Sequence, residues 1–505
     1  MKVSPERDTF ADCYRAGTPQ VVFTRLVGDL ETPVSAMLKL ATGKPNSFLL
    51  ESVEGGATRA RYSIIGLDPD VIFRAHGDQP GIAESRDGTP SDFHPAQGGT
   101  LDALRDLVDA SRIDLPHDLP PMAAGVFGYL GYDCIRLVER LPDINPDELD
   151  LPDALFLRPR IVVVFDSVRD EITLVTPVRP DPSVSADQAY ARAFDRLTET
   201  MDALDQPVPR TADPDDAEVA LGTVTSNIAP DTYQEMVRKA QDYILAGDIF
   251  QVVLSQRFEA KFALPPFALY RALRRVNPAP FLFYLDFGGF AVAGSSPEIL
   301  VRVRDGRITV RPIAGTRPRG ATPSADQALA DDLLADPKER AEHLMLLDLG
   351  RNDAGRFAKP ASVEVTDQFF IEYYSQVMHI VSNVEADLDP AHDAIAALFG
   401  GFPAGTVSGA PKIRAMEIID ELEDVKRGIY AGAIGYFAAN GDMDSCIVLR
   451  TSIVKDGKMY VQAGAGIVAD SVPLSEHQEC EHKARALFRA GEEAMRFAAR
   501  SGRGQ

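Results

Sequence analysis

Short apolar runs typical of β-strands recur along this chain without the regular strand–helix alternation that a parallel α/β sheet requires. Residues 21–23, 47–52 and 61–66 are early examples, and residues 160–165 and 171–176 have the spacing of a hairpin. Strand runs mixed irregularly with helices are typical of the α+β class. Because 505 residues exceed what one simple core usually holds, we predict an α+β protein with a composite, two-lobed, sheet-rich core and flanking helices.

The later part of the chain shows the same mixture. Residues 186–204 predict an amphipathic helix, and a helix near Pro230–Ala246 is ended by Gly247. The other expected elements are strands at 250–258, 281–287, 290–294, 298–304, 307–311, 430–439, 445–454 and 458–463, and helices at 324–350, 390–399, 411–422 and from about 474.

A segment rich in Pro and Asp, residues 205–217, lies between these two parts. Such composition is typical of a linker. We therefore predict an amino-terminal region (residues 1–205), a linker (206–227) and a second domain (228–495).

The net charge of −23 argues against nucleic acid and anionic membranes as partners, because both require a basic footprint. No apolar run approaches the roughly 20 residues that cross a bilayer, and the first residues have no signal core. The four cysteines lie far apart without metal-ligand spacing. We expect a cytoplasmic protein in which any anion site is built locally from backbone N–H groups and a few cationic side chains.

Three carboxylates predict a magnesium site. Asp336 and Pro337 mark a helix start, which places Glu339 and Glu342 one turn apart on one helix face. Glu479 supplies a further carboxylate in a region of other site-like motifs. Hard oxygen ligands that leave room for water and substrate suit Mg²⁺. The alternative for Glu339 is a capping-box carboxylate, and for Glu342 an ordinary surface charge.

Two glycine-rich segments predict an anion site. Residues 401–412 form a loop that closes into a helix at Pro411, where backbone N–H groups favour an anion. Residues 464–469 match G-x-G-x-x-A, but the following Asp-Ser-Val-Pro excludes the helix that a dinucleotide fold requires.

Two further side chains can each be interpreted in two ways. Arg450, at a strand end, predicts either a bound carboxylate or a structural ion pair. His379 is by default a core histidine. The residues alone thus indicate a Mg²⁺-assisted enzyme acting on a small anionic substrate.

The order and spacing of five motifs resemble the chorismate-utilising enzymes. These motifs lie at residues 312–319 (a tight glycine turn flanked by cationic groups), 339–343, 376–379, 401–412 and 479–483. Residues 49–52 and 61–63 resemble the amino-terminal region of anthranilate synthase component I. The resemblance covers most of the chain, and it implies that family's fold.

The resemblance also implies roles for individual residues. Glu342 and Glu479 would hold Mg²⁺, Glu298 would be the general acid for the departing C4 hydroxyl of chorismate, and His379 would assist pyruvate loss. Thr406 is counted with these catalytic residues. The implied substrate-binding residues are Gly315, Thr316, Glu339, Tyr430, Arg450, Gly464, Gly466 and Lys483.

Two positions favour ammonia as the nucleophile. Aminodeoxychorismate synthases of this family typically carry Lys where this chain has Ala314, and isochorismate and salicylate synthases use a Lys base where it has Gln251. The resemblance therefore implies an anthranilate synthase large subunit, which makes anthranilate and pyruvate from chorismate and ammonia in tryptophan biosynthesis. The alternatives are an aminodeoxychorismate synthase component I and a non-catalytic tryptophan or chorismate sensor.

The resemblance implies two further partners. No Gly-x-Cys-x-Gly nucleophile elbow occurs in the sequence, so we expect a separate glutamine amidotransferase subunit and a heterotetramer. Tryptophan would act as feedback inhibitor, and the alternative interpretation of its pocket is plain strand-edge packing. The implied tryptophan pocket residues are Glu51, Ser52, Asn277, Pro278, Phe281, Ile434, Gly435 and Tyr436.

Overall fold

The computed structural model describes residues 2–52, 61–85, 89–209, 221–374 and 377–498. Within these ranges all strands join one hydrogen-bonded sheet of 22 strands, and neighbouring strands pair in the antiparallel sense. The strands are β1 (Gln20–Val27), β2 (Ser47–Ser52), β3 (Tyr62–His76), β4 (Gln79–Glu84), β5 (His94–Pro95), β6 (Gly125–Leu130), β7 (Ala154–Asp166), β8 (Glu171–Val178), β9 (Thr225–Ser226), β10 (Gln251–Lys261), β11 (Phe281–Asp286), β12 (Ala291–Ser296), β13 (Ile299–Arg304), β14 (Arg307–Val310), β15 (Ile313–Pro318), β16 (Glu364–Tyr373), β17 (Val377–Asp387), β18 (Gly409–Ala410), β19 (Ala433–Ala438), β20 (Met443–Ile447), β21 (Thr451–Lys455) and β22 (Lys458–Ile467).

Helices flank this sheet. The α-helices of the described residues are α1 (Arg7–Arg15), α2 (Pro33–Ala41), α3 (Thr100–Ala110), α4 (Ala186–Leu204), α5 (Pro230–Ala246), α6 (Pro266–Val276), α7 (Pro323–Ala335), α8 (Pro337–Gly355), α9 (Ala394–Gly401), α10 (Lys412–Leu422) and α11 (Pro473–Ala498). Short 3₁₀ turns lie at Pro121–Ala123, Tyr132–Leu137 and Gly405–Val407. In the part of the chain that the structure describes, no helix combines the length and the apolar character needed to span a bilayer.

Two arms of strands diverge from the long β3–β7 pair. The first arm runs β3–β2–β11–β12–β21–β22–β10. The second arm runs β7–β6–β19–β20–β13–β14–β17, with β15 and β16 on either side of β17. Strands of the amino-terminal region therefore pair with strands of the later region twice, at β2–β11 and at β6–β19.

Apolar faces of this sheet are covered by helices. The long helix α11 packs against α5, α6 and β22, whereas α8 packs against β15 and β17. Strands β7 and β8 are buried along most of their length, as expected where both faces of a sheet are covered. The main core runs through both arms, and a second cluster fills the space between β6, β7 and β11.

The predicted α+β architecture is confirmed, and two helices match their predicted limits. These are α4 and α5; α5 begins at a proline and ends before Gly247, which has the left-handed φ of 84° typical of a helix end. Three expectations need correction. The expected helix 324–350 is divided into α7 and α8 at Asp336, which caps α8 through the N–H groups of Lys338 and Glu339.

The expected strand 445–454 is also divided, because Arg450 adopts a left-handed φ of 47° between β20 and β21. The expected tight turn at 312–319 is instead a bulge within β15. The pairing of β15 with β17 shifts between Ala314 and Arg317, and Gly315 has a φ of 68° there. Of the expected linker, residues 210–220 lie outside the described residues.

Candidate active site

A cavity of about 990 Å³ opens between the two arms of the sheet. Its walls come from β10 and β22 of the first arm, β15 and β17 of the second arm, the 3₁₀ turn Gly405–Val407, and helices α8 and α11. The predicted catalytic, metal and substrate residues that line this active-site cavity are Glu298, Gly315, Thr316, Glu342, His379, Thr406, Tyr430, Arg450, Gly464, Gly466, Glu479 and Lys483. Residues far apart in sequence are thus brought together as predicted by their motifs.

Glu298 is a buried carboxyl with one polar neighbour. It lies between β12 and β13, is 6% exposed, and its Oε1 accepts a hydrogen bond from Thr406 Oγ1 at 2.9 Å. Burial raises the pKa of Glu298 to about 8, although the Thr406 hydrogen bond acts in the opposite direction. At neutral pH this carboxyl keeps its proton, which is the state that a general acid requires.

His379 lies on β17 beside the bulge of β15. Its Nδ1 is 2.8 Å from the carbonyl oxygen of Gly315, and a carbonyl can only accept, so Nδ1 carries the proton. Nε2 of the neutral ring is then free to accept a proton. Burial lowers the pKa of His379, which keeps the ring neutral at pH 7. The geometry therefore suits a base rather than the default core histidine.

Arg450 presents a cation to the cavity from the break between β20 and β21. Burial lowers the pKa of its guanidinium, whereas the nearby Tyr374 acts in the opposite direction. Within the described ranges no Asp or Glu comes within ion-pair distance of it. Of the two interpretations of Arg450, the structure favours a site for an external anion over a structural ion pair.

Backbone and side-chain donors line the same cavity as Arg450. Gly464 and Gly466 are on β22, and a Cβ added at Gly464 would lie 2.9 Å from the hydroxyl of Tyr430. Lys483 Nζ donates to the carbonyl oxygen of Gly464 at 2.8 Å and forms an ion pair with Glu479 at 2.7 Å. Small residues at these two positions keep the wall of the cavity open to a ligand.

The carboxylates of α8 and α11 are ligands of the chemical type that a magnesium ion prefers. Burial raises the pKa of Glu342, and the neighbouring carboxylates of Glu339 and Glu479 raise it further. The negative charges of these carboxylates are therefore not fully balanced by nearby cations. Among the residues described, no three acidic, His or Cys side chains close into a ready-made metal cage. Mg²⁺ tolerates this arrangement, because it usually binds through one or two carboxylates and completes its shell with water or substrate oxygens.

Glu339 differs from its predicted place. It does not line the cavity; its Oε1 lies 3.2 Å from Arg317 Nη1, and Arg317 also pairs with Asp332 and Asp336. The carboxylate lies behind the bulge, 3.0 Å from where a Cβ of Gly315 would be. In this structure Glu339 thus lies beside Arg317 and off the cavity wall, and its assignment as a substrate-binding residue stays a prediction.

Sequence reasoning missed two acidic residues that line this cavity, Asp470 and Glu476. Glu476 lines the cavity one helical turn before Glu479, and burial raises its pKa. The signal was present, since residues three apart on a helix share a face.

A second cavity, of about 520 Å³, contains most of the expected tryptophan residues. Those that line it are Glu51, Phe281, Ile434, Gly435 and Tyr436. Asn277 and Pro278 do not line it, because they lie before β11 at the end of α6. The side chain of Ser52 lies outside the described residues. Glu51 is buried and ion-paired with Arg274 at 2.7 Å.

These features define an enzyme whose site joins a buried protonated carboxyl, a neutral imidazole, a guanidinium without an acidic partner among the described residues, and a carboxylate cluster, at the seam of a divided antiparallel sheet. Residues 46–489 match the family of chorismate binding enzymes, and the chain belongs to that family.

Relatives extend this likeness over nearly the whole chain. Anthranilate synthase component 1 of Cereibacter sphaeroides is 56% identical over 498 residues, which cover 98% of this chain and 99% of the relative. A crystal structure of anthranilate synthase component I from Streptococcus pneumoniae is similar with a TM-score of 0.73 and 40% identity, covering 85% of this chain and 93% of that one. The menaquinone-specific isochorismate synthase of Escherichia coli shares the fold, with a TM-score of 0.69 at 20% identity, over 96% of this chain and all of that one.

Proposed function

We propose that this chain is the chorismate-converting component of an anthranilate synthase and forms anthranilate and pyruvate from chorismate and ammonia. The observation that carries the proposal is the identity of 56% with anthranilate synthase component 1 over nearly the full length of both chains. The meeting of Glu298, His379 and Arg450 in one cavity supports it, because a non-catalytic sensor has no use for a protonated acid and a free base.

The nucleophile follows from two side chains of the same cavity. Ala314 and Gln251 both line it, and neither can act as an amine nucleophile or as a base that activates water. Ammonia needs no such activation, because it is already the deprotonated, nucleophilic form of ammonium. This favours anthranilate formation over the aminodeoxychorismate synthase alternative.

The side chains support two successive steps. As the ammonia nitrogen bonds to C2 of chorismate and the C4–oxygen bond breaks, Glu298 gives its proton to the departing hydroxyl, which leaves as water. The ammonium proton passes to solvent. In the second step the unprotonated Nε2 of His379 takes the C2 proton, and the C3–oxygen bond to the enolpyruvyl group breaks. The ring becomes aromatic, and the side chain leaves as the enolate of pyruvate, which becomes pyruvate when its methylene carbon takes up a proton. The tautomer set by Gly315 provides that free nitrogen.

Binding of the substrate is assigned to charges around the reacting ring. Arg450 and the backbone at Gly464 and Gly466 would receive the enolpyruvyl carboxylate. Glu342 and Glu479 would hold Mg²⁺, which when bound would neutralise the ring carboxylate. Lys483 lies between these two regions, since it contacts both Glu479 and Gly464.

Two further properties belong to this proposal. Ammonia would come from a separate glutamine amidotransferase subunit in a heterotetramer, in keeping with the designation of the relatives as component 1. Tryptophan would inhibit through the 520 Å³ cavity, whose arginine and carboxylate side chains suit a zwitterionic amino acid. We place the complex in the cytoplasm.

The test is anthranilate fluorescence from the purified chain with chorismate, Mg²⁺ and ammonium at mildly alkaline pH, with pyruvate measured in parallel. Equal amounts of anthranilate and pyruvate are expected. Chorismate consumption without pyruvate would replace the proposal with a synthase that stops at an amino or hydroxy intermediate. No turnover, with tryptophan still bound, would favour the sensor.

A further inference from the structure

A buried ion pair between Arg427 and Glu423 lies directly behind the active-site cavity, and no sequence motif indicated it. Arg427 is 2% exposed and Glu423 5%. Arg427 Nε donates to one carboxylate oxygen at 2.9 Å and Nη2 to the other at 2.5 Å. Removing two charges from water costs much of what their attraction returns, so stability alone does not explain such a pair. Its further contacts are therefore informative.

The guanidinium of Arg427 also donates hydrogen bonds to two backbone segments of the cavity wall. Nη1 donates to the carbonyl oxygen of Val407 at 2.7 Å, and Nη2 donates to that of Val253 at 2.7 Å. Val407 ends the 3₁₀ turn that carries Thr406, and Val253 lies on β10; both line the cavity. Because the guanidinium is planar and its donors diverge at fixed angles, it sets the position of the turn relative to the strand.

Glu423 anchors this arrangement to the sheet. Its Oε1 accepts hydrogen bonds from the backbone N–H of Ser255 at 2.7 Å and from its hydroxyl at 2.8 Å. Ser255 is paired with Gly464 of β22. The guanidinium also faces the ring of Tyr430, with 5.6 Å from Cζ to the ring centroid. This ion pair thus contacts three parts of the cavity wall: the 3₁₀ turn, β10 and Tyr430.

We propose that Arg427 is a positioning residue for the reaction, which holds the Gly405–Val407 turn so that Thr406 Oγ1 meets the Glu298 carboxyl. Arg427 itself does not line the cavity. The proposal deepens the proposed function and rests on it.

This role has a consequence that a purely structural ion pair lacks. The hydrogen bond from Thr406 favours the ionised form of Glu298 and so lowers its pKa. A displaced turn loses that bond, and the pKa of the acid rises. Among the described residues, Tyr374 is a titratable group whose pKa Glu298 affects. Burial raises the pKa of Tyr374, so this side chain stays neutral in the range tested.

The experiment compares Arg427→Lys with Arg136→Lys as a matched control. Lysine keeps the positive charge opposite Glu423, but it lacks the planar set of N–H donors that bind the two carbonyl groups. Arg136 is likewise an ion-paired arginine, with the carboxylates of Asp133 at 3.1 Å, Asp420 at 2.7 Å and Asp143 at 3.7 Å, and none of these carboxylates lines the active-site cavity.

For Arg427→Lys we expect kcat to fall by about 10- to 100-fold, as for loss of a buried hydrogen bond. KM for chorismate should change less than about three-fold, and the alkaline limb of the kcat profile should move to higher pH. Arg136→Lys should show none of these effects.

A double-variant cycle separates positioning from general damage. Thr406→Val should move the alkaline limb in the same direction, and adding Arg427→Lys to it should cause no further loss, because both remove one contact. Additive losses, or a fall in kcat with an unmoved alkaline limb, would overturn the proposal.

A readout that does not need turnover distinguishes this inference from the proposed function. A crystal structure of Arg427→Lys should show the Thr406 Oγ1 to Glu298 Oε1 distance beyond hydrogen-bonding range, and retention near 2.9 Å would refute the positioning role. If the wild type makes no anthranilate, the proposed function fails while this distance still decides the inference. If Arg427→Lys does not fold, Arg427→Met/Glu423→Leu removes both charges together and undergoes the same measurements.

Discussion

Glu298→Gln should remove proton donation while preserving the shape of the site. Glutamine has the same outline as glutamate, and its amide oxygen can still accept the hydrogen bond from Thr406. A positioned general acid typically contributes about 100- to 10,000-fold to a rate. We therefore expect kcat with ammonium to fall by that factor, with KM for chorismate nearly unchanged. In the wild type, activity per free ammonia should decline above pH 8, where the acid loses its proton.

The same substitution has a calculable effect on stability. A pKa that rises from 4.5 to about 8 on folding corresponds to about 5 kcal/mol of disfavoured ionisation, at about 1.4 kcal/mol per factor of ten. Between these two pH values the folded protein holds a proton that the unfolded chain releases, so stability falls as pH rises. About 2 kcal/mol is lost by pH 6 and nearly all by pH 9. The wild type should therefore lose about 3 kcal/mol between pH 6 and 9 that the variant keeps.

Urea unfolding of both proteins at pH 6 and pH 9 measures this difference, and anthranilate fluorescence measures the rate. The wild type and the variant share every other titrating group, so the change in their stability difference isolates Glu298. A stability difference that does not change between the two pH values would show that Glu298 ionises normally. Retention of kcat within ten-fold would show that another group supplies the proton.

Three further sets of substitutions test the carboxylate cluster, the second cavity and the bulge of β15. Glu342→Gln and Glu479→Gln should each weaken Mg²⁺ binding by about 10-fold or more in calorimetry, because each removes one hard anionic ligand; unchanged binding would place the metal elsewhere. Glu51→Gln should raise the tryptophan concentration for half inhibition by about 10-fold, since it leaves Arg274 unpaired beside the second cavity; an unchanged value would exclude that cavity as the inhibitor site. Gly315→Ala should cost about 1 kcal/mol more in thermal unfolding than Gly306→Ala. Both glycines have a positive φ, but only at Gly315 would a Cβ meet other atoms, 3.0 Å from Glu339.

Local signals predicted some elements to within a residue and missed others. Helix α5 was found because its proline start and glycine end agree with its apolar period. Helices α1 and α2, of nine residues each, were not predicted. Two and a half turns sample the helical period too briefly for the pattern to distinguish a helix from a strand or a loop. Their packing against α4 and β3, which stabilises them, is invisible in the sequence.

The site was predicted as a set of residues but not as a set of interactions. Motif order sufficed to gather Glu342, His379 and Glu479. It did not show that Glu339 is paired with Arg317, because that pairing depends on how α7 and α8 meet at their junction. Nor did it indicate Arg427, because two of its partners, the carbonyl groups of Val253 and Val407, lie far from it in the sequence. Long-range partners of a buried charge leave no local pattern.

The break at Arg450 shows why the cavity lies where it does. Strand β20 belongs to the second arm of the sheet and β21 to the first, so the chain crosses between the arms at Arg450. Glu298 lies at the equivalent crossing, between β12 of the first arm and β13 of the second.

The two crossings are adjacent, since Ser295 N–H donates to the carbonyl oxygen of Arg450 at 3.2 Å and Ile447 N–H to that of Glu298 at 3.0 Å. Within a ladder, side chains alternate between the two faces of the sheet. Where the chain leaves the ladder they can point along the seam instead. Glu298 and Arg450 therefore reach one cavity because the sheet divides there, and a non-glycine residue in the left-handed region, at about 1–2 kcal/mol, is the local cost of that division.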